Sequence, residues 1–185
     1  MTPPTDGNER DHRDHPDLTA IAGEMRAEWR AGQESATADA AAQWRHNRTL
    51  ADWLRERMHA GDEIAVTLAA ARFVGFVEEV GDDLVAVRCP SGRVEIHVCA
   101  GIPIAVEVVE HATDGGTRAL ARRGFRDALV ARDAQTGVSV GTLARPDGID
   151  GSLLVGRDFV TVVARDGTET IVPIDHVAWV APVRH

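Results

Sequence analysis

The sequence predicts an α+β protein: N-terminal helices followed by two related small β-barrel units linked by a helix, standing as separate barrels or as one two-lobed β-domain. Three observations predict it. Up to residue 61 strong helix formers dominate, and from Asp62 the chain turns to short Val- and Ile-rich runs. Those runs fall into two groups of five, in 62–110 and 138–185, with a non-β stretch at 111–137 between them. Finally, "GDDLVAVRCPSG" (81–92) returns in altered form as "GRDFVTVVARDG" (156–167).

Residues 1–17, "MTPPTDGNERDHRDHPD", hold almost no apolar group that could offset the entropy of ordering, so a disordered tail is expected there. Residues 18–61 read as the helical region. The first helix spans about 18–46, with Met25 and Trp29 four apart, Ala36, Ala40 and Trp44 continuing the spacing, and Gly32 as a point of interruption. The second runs from an N-cap at Thr49 to a stop at Gly61. Its stripe is Leu50, Trp53, Leu54 and Met58, at i, i+3, i+4 and i+8.

In the first β unit, 62–110, the runs are "EIAVTL", "RFVGFVEEV", "LVAVRC", "RVEIHV" and "IAVEVV", parted by turn signals at Gly81-Asp82-Asp83, Pro90-Ser91-Gly92 and Gly101 with Pro103. Five short strands in so few residues suit a small, strongly bent barrel. The linker, 111–137, carries "TRALARRGFRDALVARD", read as a short helix after Gly115-Gly116. The second β unit, 138–185, reads "VSVGTLA", "DGSLLVG", "DFVTVVAR", "TETIVPI" and "HVAWVAPV".

Laid over one another at a constant offset of 75, residues 81–106 and 156–181 match Gly81 with Gly156, Asp83 with Asp158, Val85 with Val160, Val87 with Val162 and Gly92 with Gly167. The same offset sets Ile96 against Ile171 and Ile104 against Trp179, and one gapped residue aligns Gly75 with Gly151. The Gly-x-Asp step turns the chain, Val-x-Val sends alternate side chains into a core, and the second Gly closes a hairpin.

The stretches "FVGFVEEVGDDLVAV" and "GSLLVGRDFVTVV" resemble the Sm-like and SH3-like small β-barrels, in which an apolar-x-Gly-x-apolar strand precedes an Asp-bearing turn and a further apolar strand. The resemblance covers about half of each repeat and implies a barrel fold with ligand contacts on strand edges and loops. The Asn- or Arg-Gly turn that the Sm-like group uses for RNA has no match. As a whole, the chain also resembles a family of actinobacterial proteins of similar length, some labelled Fis-family transcriptional regulators. That label implies a helix-turn-helix, whereas the helices before residue 61 are separated and Trp-rich.

Composition narrows the function. The net charge of -9 disfavours a general nucleic-acid binder. No apolar run is long enough for a membrane span, so a cytoplasmic location and no membrane partner are expected. All 20 basic residues are Arg, a pattern that GC-rich coding produces without any binding role. Cys89 and Cys99 are expected as reduced thiols. G-x-S-x-G, G-x-x-x-x-G-K-[ST], G-x-G-x-x-G and C-x-x-C are all absent, and His97, Cys99 and His111 match no metal-ligand spacing. No catalytic residue, cofactor or metal is assigned. The candidate binding residues are Arg118, Arg122, Arg123 and Arg126, in the one net-basic segment (five Arg against three Asp over 111–137), and Trp29, Trp44 and Trp53 on the helices. The expectation is a non-enzymatic binding or adaptor module with a protein partner. A nucleic-acid-associated regulator acting through the Arg-rich segment is the alternative. Oligomeric state is open, a dimer being compatible with free strand edges or with the Trp-bearing helices.

Overall fold

The computed structural model describes residues 18–99, 101–113, 115–116 and 123–183. The tail expected over 1–17 and the candidates Arg118 and Arg122 lie outside them. The chain divides into two compact units, residues 1–48 and 49–185.

The first unit holds one helix, α1 (Leu18–Asn47). It passes through Gly32 without a break. A single interior Gly costs about 1 kcal/mol relative to Ala, which a helix this long absorbs. Met25, Trp29 and Trp44 are exposed on it.

The second unit begins with α2 (Leu50–Ala60), whose limits are those read from the sequence. The Asp52 N–H donates to Thr49 Oγ1 at 3.1 Å and the Thr49 N–H to Asp52 Oδ2 at 3.2 Å, a reciprocal capping box. Gly61 ends the helix at φ +81°. Of the predicted stripe, Leu54 and Met58 are buried, Trp53 is half-buried and Leu50 is exposed.

Ten antiparallel strands follow: β1 (Glu63–Leu68), β2 (Ala71–Val80), β3 (Leu84–Cys89), β4 (Gly92–His97), β5 (Ile104–Glu110), β6 (Val138–Thr142), β7 (Ile149–Val155), β8 (Phe159–Val163), β9 (Glu169–Pro173) and β10 (Val177–Pro182). Each lies on one of the ten predicted runs. Within 111–137 the described helix is α3 (Phe125–Val130). Cys89 and Cys99 form no disulfide.

Of the two expected arrangements, two small barrels or one two-lobed β-domain, closed barrels are not formed: the strands make one ten-stranded sheet in the order β5-β1-β2-β3-β4-β10-β6-β7-β8-β9, with β5 and β9 at its two ends and not paired with each other. The reason is local. Closing the first five strands on themselves would need β4 to find β5. Instead β4 pairs with β10, through Ile96 opposite Trp179 and Glu95 opposite Val180. With β6 on its other side, β10 is a central strand. Val177, Ala178, Trp179, Val180 and Ala181 are all buried.

Two apolar cores flank this seam and share residues across it. The first, built on Ile64, Val66, Phe73, Val85 and Ile96 with Leu54 and Met58 of α2, takes Ala178, Trp179 and Ala181 from β10. The second, built on Val140, Leu153, Val160, Val162 and Val180 with Phe125 and Leu129 of α3, takes Leu84 from β3. Trp179 meets Phe73 edge to face at 5.1 Å, and a Cβ on Gly141 would overlap its indole.

Register departs from the constant offset in the second half of each group. Ile96 lies opposite Val85, but Val172, not Ile171, lies opposite Val160. Residues 90–91 join β3 to β4, whereas residues 164–168 join β8 to β9. The longer connection moves β9 by one residue, and a one-residue slip turns every side chain to the other face. Trp179 lies opposite Gly141 of β6, and Ala105 opposite Thr67 of β1.

Trp179→Ala is expected to cost about 3–5 kcal/mol, and Gly141→Ala about 1–3 kcal/mol by overpacking the same site. Equilibrium urea unfolding should report both losses as one transition, because the tryptophan belongs to the core of the opposite half.

Candidate binding surface

The seam brings together two buried carboxylates, Glu79 and Glu95. A register shift in β2 between Val77 and Glu79 turns Glu79 inward, where it is 4% exposed. Arg123 grips it with two bonds, Nε to Oε1 at 3.0 Å and Nη2 to Oε2 at 2.8 Å. Arg93 also bonds Glu79, and its Nε reaches Glu95 Oε1 at 3.0 Å. Arg132 closes the set, with Nε 2.6 Å from Glu95 Oε2 and Nη2 donating to the Arg93 carbonyl at 2.9 Å. The bonds from Arg123, opposed by burial and reinforced by Arg93, hold the Glu79 carboxyl below the ordinary Glu range.

Above this network, His97 is buried in a parallel stack on Phe125 at 4.5 Å, with Nδ1 3.0 Å from the Val177 carbonyl oxygen. A carbonyl accepts but cannot donate, so Nδ1 carries the proton. Asp83, from the first Gly-x-Asp turn, accepts the Phe125 N–H at 2.6 Å and so caps α3. These groups act as a structural joint.

The sequence candidates separate accordingly. Arg123 is spent on Glu79, and Arg126 Nε donates to the Arg157 carbonyl at 3.1 Å. Trp29 (65% exposed) and Trp44 (59%) lie on α1, with Arg48 stacked over Trp44 at 4.6 Å. Trp53 is on α2, with Arg57 over its ring at 5.6 Å.

A different surface stands open. On β7, β8 and β9 the registers set Leu154 opposite Thr161 and Thr161 opposite Ile171, a row on the face turned away from the core. Leu154 is 47% exposed and Ile171 65%, and Phe159 adds a third exposed apolar side chain. On β3 and β4 the corresponding face is covered: Leu84, Ala86, Glu95 and His97 are all buried there beneath α3 and the ion network. The sequence reading passed over this patch. Its signal is the run "GSLLVG", in which Leu153 and Leu154 are adjacent, so both faces of β7 carry a large apolar group. Buried Trp179 had a signal too, the unbroken apolar run "VAWVA", which reads as a strand covered on both faces.

Among the described residues, one groove is lined by Arg72, Phe73, Asp147, Asp150 and Trp179, and a second by Met58, Asp62, Phe76 and His111. In the second, burial pushes the Asp62 carboxyl up. Bonds from the Ala112 N–H (2.9 Å), His111 and Arg57 outweigh that and hold it low. Among the described residues no group of three or more His, Cys, Asp or Glu could hold a metal ion, and no helix is long and apolar enough to cross a membrane. No family model, no curated protein and no solved structure matches the chain.

The depressed carboxyl of Glu79 carries a pH signature. A carboxyl that releases its proton more readily folded than unfolded stabilises fully above its unfolded pKa, about 4.3, and loses that contribution as pH falls through its folded value. Glu79→Gln should therefore lower stability at neutral pH by about 2 kcal/mol, less than for a fully buried pair because Arg93 and Arg123 reach solvent. Its stability should also fall less than that of the wild type on acidification from about pH 5 to pH 3. Urea midpoints across that range test both.

Proposed function

We propose that the chain is a non-enzymatic binding or adaptor module, whose β-domain is two related units of the Sm-like or SH3-like small-barrel kind, opened and joined edge to edge. The observation that carries the binding role is the exposed Leu154–Ile171 row beside Phe159. Three large apolar side chains exposed on one sheet face, around Thr161, are the kind of surface that protein contacts use.

Several local features support the repeat. The order β5-β1-β2-β3-β4 recurs as β10-β6-β7-β8-β9. The Gly81 N–H donates to the Leu84 carbonyl at 2.8 Å, and the Gly156 N–H to the Phe159 carbonyl at the same distance. A Cβ on Gly75 would overlap the Arg88 carbonyl oxygen, and one on Gly151 the Val163 carbonyl oxygen, at matching positions. Each unit thus bends its second strand where the third crosses close to it.

Capture from a lysate of cells that make the protein tests the module. The bait is the full chain, run beside Leu154→Asp, with and without nuclease. Proteins held by the wild type, lost with Leu154→Asp and indifferent to nuclease are the expected result. Retention of nucleic acid by both baits, with proteins lost on nuclease treatment, would replace this reading with a nucleic-acid-associated regulator of the kind the Fis label implies, acting through Arg118, Arg122 and Arg126. Arg126→Glu would then weaken binding in a salt-dependent way. Arg123→Glu could not serve, since it would set two carboxylates against each other at Glu79.

A further inference from the structure

We infer that the two outer strands of the sheet, β9 and β5, join copies of this chain head to tail, by the same pairing that joins β4 to β10 within one copy. The correspondence of edges rests on the repeat reading. The first unit runs β5-β1-β2-β3-β4 and the second β10-β6-β7-β8-β9, so the internal joint unites the last strand of one unit with the first strand of the next. The same two kinds of edge are left at the ends: β9 corresponds to β4, and β5 to β10. A surface that pairs with a different surface on the next copy repeats, closing into a ring or growing as a filament.

The registers specify the contact. Ile96 and Glu95 of the internal joint correspond to Val172 and Ile171, both pairs lying opposite Val85–Ala86 or Val160–Thr161. Trp179 and Val180 correspond to Ala105 and Val106, set by Gly141–Val140 and Thr67–Val66. The joint between copies is therefore Val172 opposite Ala105 and Ile171 opposite Val106 of a second copy. Exposure fits. Buried Glu95 has as its counterpart Ile171, 65% exposed, and fully buried Val180 has half-buried Val106. Glu95 needs Arg93 and Arg132 to be tolerated at the internal joint. The outer joint places an isoleucine at that position, so no buried carboxylate has to be neutralised there. Strand pairing supplies backbone hydrogen bonds along the edge, and covering Ile171 adds apolar burial.

Light scattering on the full chain, from low to high micromolar, is the test. The expected mass is two or more copies of the 19.9 kDa chain. Ile171→Lys blocks the β9 edge and Ala105→Lys the β5 edge, and both side chains are solvent-exposed, so each variant should fold and run as a single copy. Mixed in equal amounts, the two variants retain one intact edge each and should form a two-copy complex and nothing larger. Three results would overturn the inference: a single-copy mass for the wild type throughout, an unchanged mass in either variant, or a mixture that stays single-copy. Leu154→Asp separates it from the adaptor reading, for it should lose captured partners while keeping the wild-type mass.

Discussion

The pairing of β10 with β4 is the contact on which the rest of the second unit depends. It makes a strand from the end of the described chain central, sets Trp179 against Phe73, and removes the free edge that would otherwise have let the first five strands close on themselves. Because Leu84 packs into one core and Trp179 into the other, neither half holds a complete set of apolar partners without its neighbour. The dense packing of protein interiors makes such an exchange costly to undo.

Burying the seam also brings charge inside. Glu79 and Glu95 lose water there and are tolerated because three guanidiniums converge on them, one from β4 and two from either end of α3. Asp83 and His97 add directional bonds, to the Phe125 N–H and with the Val177 carbonyl oxygen, that hold α3 and β10 in place. Basic residues that suggest a nucleic-acid surface on composition are thus partly used up in holding the fold together. Within residues 49–185 no described element covers the outer face of β7–β9, where Leu154 and Ile171 are exposed.

Much of the fold was legible. All ten strands and both N-terminal helices follow from local chemistry: Val- and Ile-rich runs between Gly-, Pro- and Asp-bearing turns, a capping box at Thr49 with Asp52, a left-handed stop at Gly61. The binding surface was far less so. Arg123 and Arg126 look alike in sequence to any exposed arginine, and only their partners Glu79, 44 residues away, and the Arg157 carbonyl distinguish them. Ile171 looks like a core residue, since a constant offset aligns it with Ile96. The longer β8–β9 connection slips the strand by one residue and turns it outward.

By itself, then, the sequence determined where the strands and α2 lie to within a residue or two, because capping, alternation and turn chemistry act between residues close in the chain; the helix expected over 117–133 is instead confined, among the described residues, to Phe125–Val130. The sequence also carries one residue pattern, Gly-x-Asp followed by an apolar-Val-x-Val stretch and a second Gly, at two places. Only the tertiary structure decided which strand completes which edge. That choice pairs residues about 80 positions apart, Ile96 with Trp179, and is made by burial and backbone pairing across the seam, which no local pattern encodes.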